Sequence, residues 1–442
     1  MAVLSKYCPD INITLVDINK EKISAWNSND PRFFPVFEKG LSEIVLKNRG
    51  INLFFSCDIE NSIKNADMIF ISVNTPTKTT GFGAGYASDL KWVESSARQV
   101  AKFAQGHTIV VEKSTVPVRT AELIETILKC SERKNELEKT FSIISSPEFL
   151  AEGNAISDLE NPNRVLIGGD EDDSLEALKN IYKRWIPEHK ILFTNLWSSE
   201  LSKLTSNAFL AQRVSSINAI SALCEKTGAD INEVARVVGS DNRIGNKFLS
   251  SSPGFGGSCF QKDILNLVYL CRYYGLEEVS NYWEQVLLIN NWQRLRISKI
   301  IVEKLFGTVT MKKIALFGFA FKPNTNDTRE SSAIYITQYL IDNGADVIIH
   351  DPIVSHDDIE KVINVTSKST GSWSYNENLI EAVNSADAVV LLTQWEEYFS
   401  LDWEKIFSRM RKPAWVFDSR SIVNKEDLIK LGFNFWGLGD GK

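Results

Sequence analysis

A chain of 442 residues, 43% hydrophobic and 24% charged, has an ordinary globular composition and the length of about three domains. A formal net charge of −7 without a long Lys/Arg block argues against nucleic acid or an anionic membrane surface as a partner. No apolar run approaches the ~18 residues of a membrane span, and four histidines with six cysteines lacking a CxxC pair predict no metal and no disulfide frame, so reduced thiols in the cytoplasm are expected.

Ala2, Val3, Leu4 and Tyr7 read as the tail of a helix leading into a strand over 11–17. Strand-like, β-branched runs recur at 68–73, 108–112, 141–145 and 165–169, separated by helix-length segments, which is the rhythm of βαβ units in a parallel sheet. From 198 to about 302 these runs stop, and Leu201, Leu204, Ala208, Ala211 and Val214 define one buried helical face. Strands return at 314–317, 347–350, 388–392 and 415–417. The expected fold is α/β: two Rossmann-like doubly wound domains, 1–197 and 307–442, joined by a central helical domain, 198–306. Ligands of such sheets bind beyond the carboxyl ends of the strands, so chemistry is expected there, in a cleft between the domains.

Asp17 closes the first strand. In a dinucleotide fold such an acid holds the adenosine ribose hydroxyls and disfavours a 2′-phosphate, although an Asp here is also an ordinary helix N-cap. Lys22, at helical distance, reaches a phosphate or is simply solvated. The glycine fingerprint expected about 20 residues before such an acid has no counterpart, and neither Gly81-Phe82-Gly83-Ala84-Gly85 nor Gly254-Phe255-Gly256-Gly257 has the strand-to-helix context. The first strand and phosphate turn of the N-terminal domain are therefore expected to be missing.

Three strand ends carry hydroxyl-rich loops: Ser72-Val73-Asn74-Thr75-Pro76-Thr77, Glu112-Lys113-Ser114-Thr115-Val116-Pro117, and Ser145-Ser146-Pro147-Glu148-Phe149-Leu150-Ala151-Glu152-Gly153. Each alone is turn chemistry; together they suggest a rim with two carboxylates, Glu148 and Glu152. The strongest signal is Gly254-Phe255-Gly256-Gly257-Ser258-Cys259-Phe260-Gln261-Lys262-Asp263. Its glycines permit close approach of a ligand, a thiol at a helix start is favoured as the reactive thiolate, and Lys262 and Asp263 add a cation and a base. Cys8, Cys57, Cys130, Cys224 and Cys271 read as buried structural thiols.

With Trp197-Ser198-Ser199-Glu200-Leu201-Ser202-Lys203-Leu204, Arg243-Ile244-Gly245-Asn246-Lys247-Phe248-Leu249, Gly318-Phe319-Ala320-Phe321-Lys322, Asp327-Thr328-Arg329-Glu330-Ser331-Ser332 and Phe417-Asp418-Ser419-Arg420, these strings resemble the UDP-glucose/GDP-mannose dehydrogenase family in its eukaryotic form, over essentially the whole chain. The resemblance implies NAD-dependent four-electron oxidation of UDP-glucose to UDP-glucuronate through a thiohemiacetal and a thioester on Cys259. It implies that Lys203 and Asn207 stabilise the oxyanion, and that Asp263, Glu148 and Thr115 position water and move protons. For NAD it carries over Asp17, Lys22, Val73, Asn74, Thr75, Pro76, Thr77, Thr115, Glu152, Cys259 and Arg329. For the sugar nucleotide it carries over Glu148, Phe149, Leu150, Ala151, Glu152, Lys203, Asn207, Phe255 and Gly256, with Phe321, Lys322 and Arg420 on the uridine diphosphate.

Arg243 would reach the substrate of a neighbouring subunit in a homo-oligomer built from dimers, dimer against hexamer being open. Two departures stand out. Phe37-Glu38-Lys39-Gly40, with extra residues around 30–33, reads as loop variation of little consequence. The missing strand and glycine turn leave two alternatives, a longer active protein of which Met1 is an internal methionine or a short form that keeps UDP-sugar binding without NAD binding; within the enzyme class, the rival is a dehydrogenase of another nucleotide sugar.

Overall fold

The structure, a computed structural model, describes all residues except Phe37, 133–138 and 366–368, together with the side chains of 131 and 132. The first residue of the Phe37 loop departure thus lies outside the described residues. The chain forms two compact units, Met1–Ser206 with Leu265–Tyr274, and Asn207–Ile264 with Gly275–Lys442.

The first unit begins with α1 (Ala2–Tyr7), β1 (Ile13–Val16), β2 (Leu53–Ser56) and β3 (Met68–Ile71). It continues through α2 (Lys91–Phe103), β4 (His107–Glu112), α3 (Thr120–Glu132), β5 (Thr140–Ser145), β6 (Val165–Gly168) and β7 (Ile191–Thr194) into α4 (Leu196–Thr227). Val93, Ala97, Val100 and Ala101 recur at helical spacing on α2 and pack with Ile124 and Leu128 of α3. Val110 and Val111 of β4 are fully buried, as a strand covered on both faces requires.

One shared parallel sheet was expected; the structure corrects this in two ways. The strand of Asp17, β1, pairs in parallel with β2, and no ladder joins this pair to the sheet β3-β4-β5-β6-β7 among the described residues. In addition, β5 meets β6 through one antiparallel pair, Ser145 with Gly168, because the connection over 146–164 folds back beside β5 rather than crossing over the sheet. The loop departure is also not inert: both carboxylate oxygens of Glu38 accept backbone N–H groups, from Gly153 at 2.9 Å and Ala155 at 2.8 Å, and so tie down the turn after Glu152. Cys8, Cys224 and Cys271 are buried as expected, Cys57 is half-buried and Cys130 is exposed. Cys130 lies off the face of α3 that Ala121, Ile124 and Leu128 turn inward.

The second unit contains the rest of α4, then α5 (Ile231–Gly239), the start of α6 (Phe260–Tyr273) and α7 (Glu277–Lys304). There follow β8 (Lys313–Phe317), α8 (Ser332–Asp342), β9 (Asp346–His350), β10 (Ser372–Tyr375), β11 (Ala388–Leu391), β12 (Trp415–Asp418) and β13 (Asn434–Gly437). All six strands are parallel in the order β10-β9-β8-β11-β12-β13, the doubly wound order whose switch point lies between β8 and β11. Ile314 to Phe317 and Ala388 to Leu391 are fully buried, because the central strands of a parallel sheet are covered on both faces. At the end of β8, Gly318 takes φ +91°, and a Cβ there would lie 2.4 Å from that of Thr393, so only glycine lets the two switch-point loops meet. No helix among the described residues is long and apolar enough to cross a membrane.

Candidate active site

In the first unit, the loops after β3 and β4 are joined by hydroxyls of their own turns. Ser114 Oγ donates to the carbonyl of Val73 at 2.7 Å, and Thr75 Oγ1 donates to that of Thr115 at 2.8 Å. Thr75 is buried, whereas Asn74 and Pro76 stand exposed on the same loop.

Lys113 Nζ lies 3.0 Å from the Tyr182 hydroxyl and 3.5 Å from Glu148 Oε1. Burial works against its charge, but Tyr182 and Glu148 outweigh that cost and hold its pKa above the ordinary lysine value. The ring of Phe149 faces two cations, the guanidinium of Arg164 at 3.9 Å and the ammonium of Lys203 at 5.4 Å. The Glu148–Glu152 segment and Lys203 of α4 are thereby brought together.

Asp17 is not the N-cap of the helix that follows; that role falls to Asn19, whose side chain accepts from the backbone N–H of Lys22. The Asp17 carboxylate instead accepts from the N–H of Asn19 and has Lys22 Nζ at 3.9 Å, half-exposed at the strand end. An acid for a ribose diol, a lysine beside it, and loops edged with hydroxyls and backbone groups fit a dinucleotide.

In the second unit Cys259 ends the glycine loop and opens α6: its carbonyl accepts the first helical bond, from the N–H of Asp263 at 2.9 Å. The thiol is exposed, with Ser258 Oγ 3.3 Å from Sγ. One turn on, the Asp263 side chain is only 2% exposed; its Oδ2 accepts from Asn207 Nδ2 at 2.5 Å, and its Oδ1 lies 3.6 Å from Lys262 Nζ.

Two of the glycines allow close approach of the chain itself. A Cβ on Gly256 would lie 2.5 Å from the carbonyl oxygen of Glu330, and one on Gly257, at φ +83°, 2.9 Å from the Phe321 ring. Gly257 N–H donates to Arg329 O and Phe321 N–H to Asp327 O, so Phe255, Gly256, Phe321 and Arg329 share one neighbourhood. The Arg329 guanidinium pairs with Asp327 at 2.7 Å.

Asn290 and Arg294 of α7 hold this loop and were not singled out in the sequence. Asn290 accepts from the N–H of Phe255 and donates to its carbonyl, while Arg294 Nη2 donates to the carbonyls of Phe255 at 2.7 Å and Glu330 at 2.8 Å. Their one sequence signal is that Asn290, Gln293 and Arg294 place polar groups at helical spacing on a buried face.

Lys322 follows β8 and Arg420 follows β12. Lys322 Nζ lies 5.6 Å from the Phe321 ring centroid. Arg420 Nε donates to the carbonyl of Leu392 at 2.6 Å, which sets it against the loop after β11, and burial pulls its guanidinium down to about 10. The Asp418 carboxylate shapes this turn by accepting the N–H groups of Arg420, Ile422 and Val423. Arg243 stands apart: it faces outward, pairs with Asp241, and no contact joins it to the other candidates among the described residues. His356, Asp357 and Glu360 alone have metal-ligand proximity among the described residues; all three are exposed on a five-residue helix.

A switch-point sheet carrying cations, and a thiol one helical turn from a buried acid, define a nucleotide-linked oxidoreductase. Residues 1–186 match the NAD binding domain, 197–292 the central domain and 315–425 the UDP binding domain of the UDP-glucose/GDP-mannose dehydrogenase family, and the chain belongs to that family. It is 51% identical to the UDP-glucose 6-dehydrogenase of Bos taurus over 99% of this chain and 90% of that protein. Identity to the Drosophila melanogaster UDP-glucose 6-dehydrogenase is 52%, over 99% and 93%. A UDP-glucose dehydrogenase from the hyperthermophilic archaeon Pyrobaculum islandicum is similar in structure, with a TM-score of 0.84 at 28% identity, covering 99% of this chain and 94% of that one.

Proposed function

We propose that this chain is a UDP-glucose 6-dehydrogenase, which converts the C6 alcohol of UDP-glucose to the carboxylate of UDP-glucuronate while two NAD are reduced and one water is consumed. The observation that carries the reading is the start of α6, where an exposed thiol and a buried, Asn207-bonded carboxylate stand one turn apart. NAD, when bound, would supply the hydride acceptor, one molecule for each of the two hydrides, and Asp17, Lys22, Val73, Asn74, Thr75, Pro76, Thr77, Thr115, Glu152, Cys259 and Arg329 would hold it.

After the first oxidation, Cys259 Sγ bonds to the aldehyde carbon and the oxygen takes a proton, giving a thiohemiacetal. Loss of the second hydride and the hydroxyl proton leaves a thioester. Water then adds to its carbonyl, the C–S bond breaks, and the thiolate leaves with the acid released. Asp263, oriented by Asn207, takes protons in these steps; Lys203 and Asn207 stabilise the oxyanion; Glu148, held by Lys113, and Thr115 position water. Phe149, Leu150, Ala151, Phe255 and Gly256 shape the sugar site, and Phe321, Lys322 and Arg420 hold the uridine diphosphate.

The functional divisions are 1–197, 198–306 and 307–442. Self-association uses the helical segment, where Phe209, Ile220 and Leu223 of α4 and Leu288, Trp292 and Leu295 of α7 are exposed apolar groups. Arg243 reaches a neighbouring subunit's substrate, and the free thiols suit the cytoplasm. Counting NADH formed per UDP-glucose consumed tests the reaction: two are expected, and a value of one rejects it. A faster rate on a UDP-N-acetyl sugar than on UDP-glucose would reject the substrate.

A further inference from the structure

Glu112, the last residue of β4, and Glu200, in the first turns of α4, are 1% and 2% exposed. Glu200 is engaged at the start of α3: Oε2 accepts from the N–H of Arg119 at 2.6 Å, and Oε1 accepts from that of Ala121 at 2.8 Å. Among the described residues, neither carboxyl oxygen of Glu112 receives a hydrogen bond of good geometry. What faces Glu112 is the Glu200 carboxyl and, from β5, the Ser145 hydroxyl. Glu200 faces Glu112 and the backbone N–H groups of Arg119, Thr120 and Ala121, and among the described residues the groups that act most strongly on either acid include no cation. Two ionised carboxyls side by side, away from water and without a cation, repel each other and lose solvation that nothing restores.

We infer that Glu112 and Glu200 share one proton, and that the pair so formed clamps the start of α3 and thereby positions the 113–119 loop that carries Lys113 and Thr115. The proton gives Glu112 its missing partner and leaves Glu200 the negative end that the N-terminus of α3 attracts. Glu200 also precedes Lys203 by one turn of α4, so the pair ties that turn to the same loop. Glu112 and Glu200 are positioning residues, and the inference rests on the reading of Thr115 and Lys203 as parts of the active site. Burial, then the charge of Glu200, pushes the Glu112 carboxyl well above the usual carboxylate range, in keeping with the geometry.

The test uses the full chain and three variants, Glu112→Gln, Glu112→Ala and Glu200→Gln. Two readouts need no substrate: the infrared carbonyl stretch of a protonated carboxyl at neutral pH, and deuterium exchange at the amides of Arg119 and Ala121. The parent chain is expected to show the band. Glu112→Gln, which supplies a neutral N–H donor to Glu200, loses the band but keeps slow exchange and kcat, and its kcat no longer falls as alkali removes the shared proton. Glu112→Ala and Glu200→Gln raise exchange about tenfold, as for one charge-assisted hydrogen bond lost, and lower kcat more than they raise KM for UDP-glucose. A parent chain without the band, or Glu112→Gln exchanging as fast as Glu112→Ala, overturns the shared proton. Unchanged kcat in Glu200→Gln despite faster exchange overturns the positioning role. A parent chain that shows the band and slow exchange but no turnover supports the pair and counts against the function proposed above.

Discussion

Asn207 donates a 2.5 Å hydrogen bond to Asp263 across 56 residues of sequence, and fixes the direction in which a nearly solvent-free carboxylate faces. A buried acid of this kind is costly unless partnered, and Asn207 supplies one of its partners. Asp263→Asn is expected to lower kcat by about 10²–10⁴-fold, the range of a lost general base, with a smaller change in KM for UDP-glucose. Steady-state NADH formation checks this; a loss confined to KM would remove Asp263 from the proton-transfer steps.

The thiol of Cys259 is exposed, so its removal should leave the fold alone. Cys259→Ala is expected to reduce formation of UDP-glucuronate by at least about a thousandfold, with the urea midpoint unchanged. Product chromatography after long incubation is the measurement, and full turnover in this variant would reject covalent capture.

Arg294, 2% exposed, is the shared donor to the carbonyls of Phe255 and Glu330. Arg294→Met removes both bonds and is expected to cost about 3 kcal/mol. Arg294→Lys keeps the charge but not the planar fork, and should fall between the two. Urea unfolding followed by tryptophan fluorescence reads the stability, and faster alkylation of Cys259 by iodoacetamide reports the loosened loop.

Lys322 follows β8, a strand of the switch point, and Arg420 follows β12 and bonds the loop after β11. Alanine at either position is expected to weaken UDP about tenfold, one charge-assisted contact, and to leave NAD affinity unchanged. Calorimetric titration with each ligand separately decides, and equal losses for both ligands would point to a folding defect instead.

Because Glu112 is held protonated in the folded chain and ionises on unfolding, the folded state binds the extra proton. Stability therefore falls as pH rises from the ordinary glutamate range toward the raised folded value, by about 1.4 kcal/mol per pH unit for each proton. Glu112→Gln should flatten this part of the profile. Urea midpoints across that range test it, and parallel profiles for the two chains would contradict it.

The sequence alone determined those features whose cause is local. Ile314 to Phe317 and Ala388 to Leu391 were readable as strands because burial on both faces demands an unbroken apolar run. The half-exposed edge strands β10 and β13 were not, since Ser372-Trp373-Ser374-Tyr375 and Asn434-Phe435-Trp436-Gly437 show no such run, and β7, with only Ile191-Leu192-Phe193, was not read either. The Cys259 segment was legible because its thiol, cation and acid are consecutive or one helical turn apart. Tertiary structure alone decided that β1 pairs with β2 and, among the described residues, with no other strand, that the glycine loop is tight against Phe321 and Glu330, and which side chains hold the loop. Arg294 meets Phe255 from 39 residues away and Glu200 meets Arg119 from 81. Such partners are chosen by the need to satisfy buried polar groups, which arises only once the chain has packed and water has been excluded.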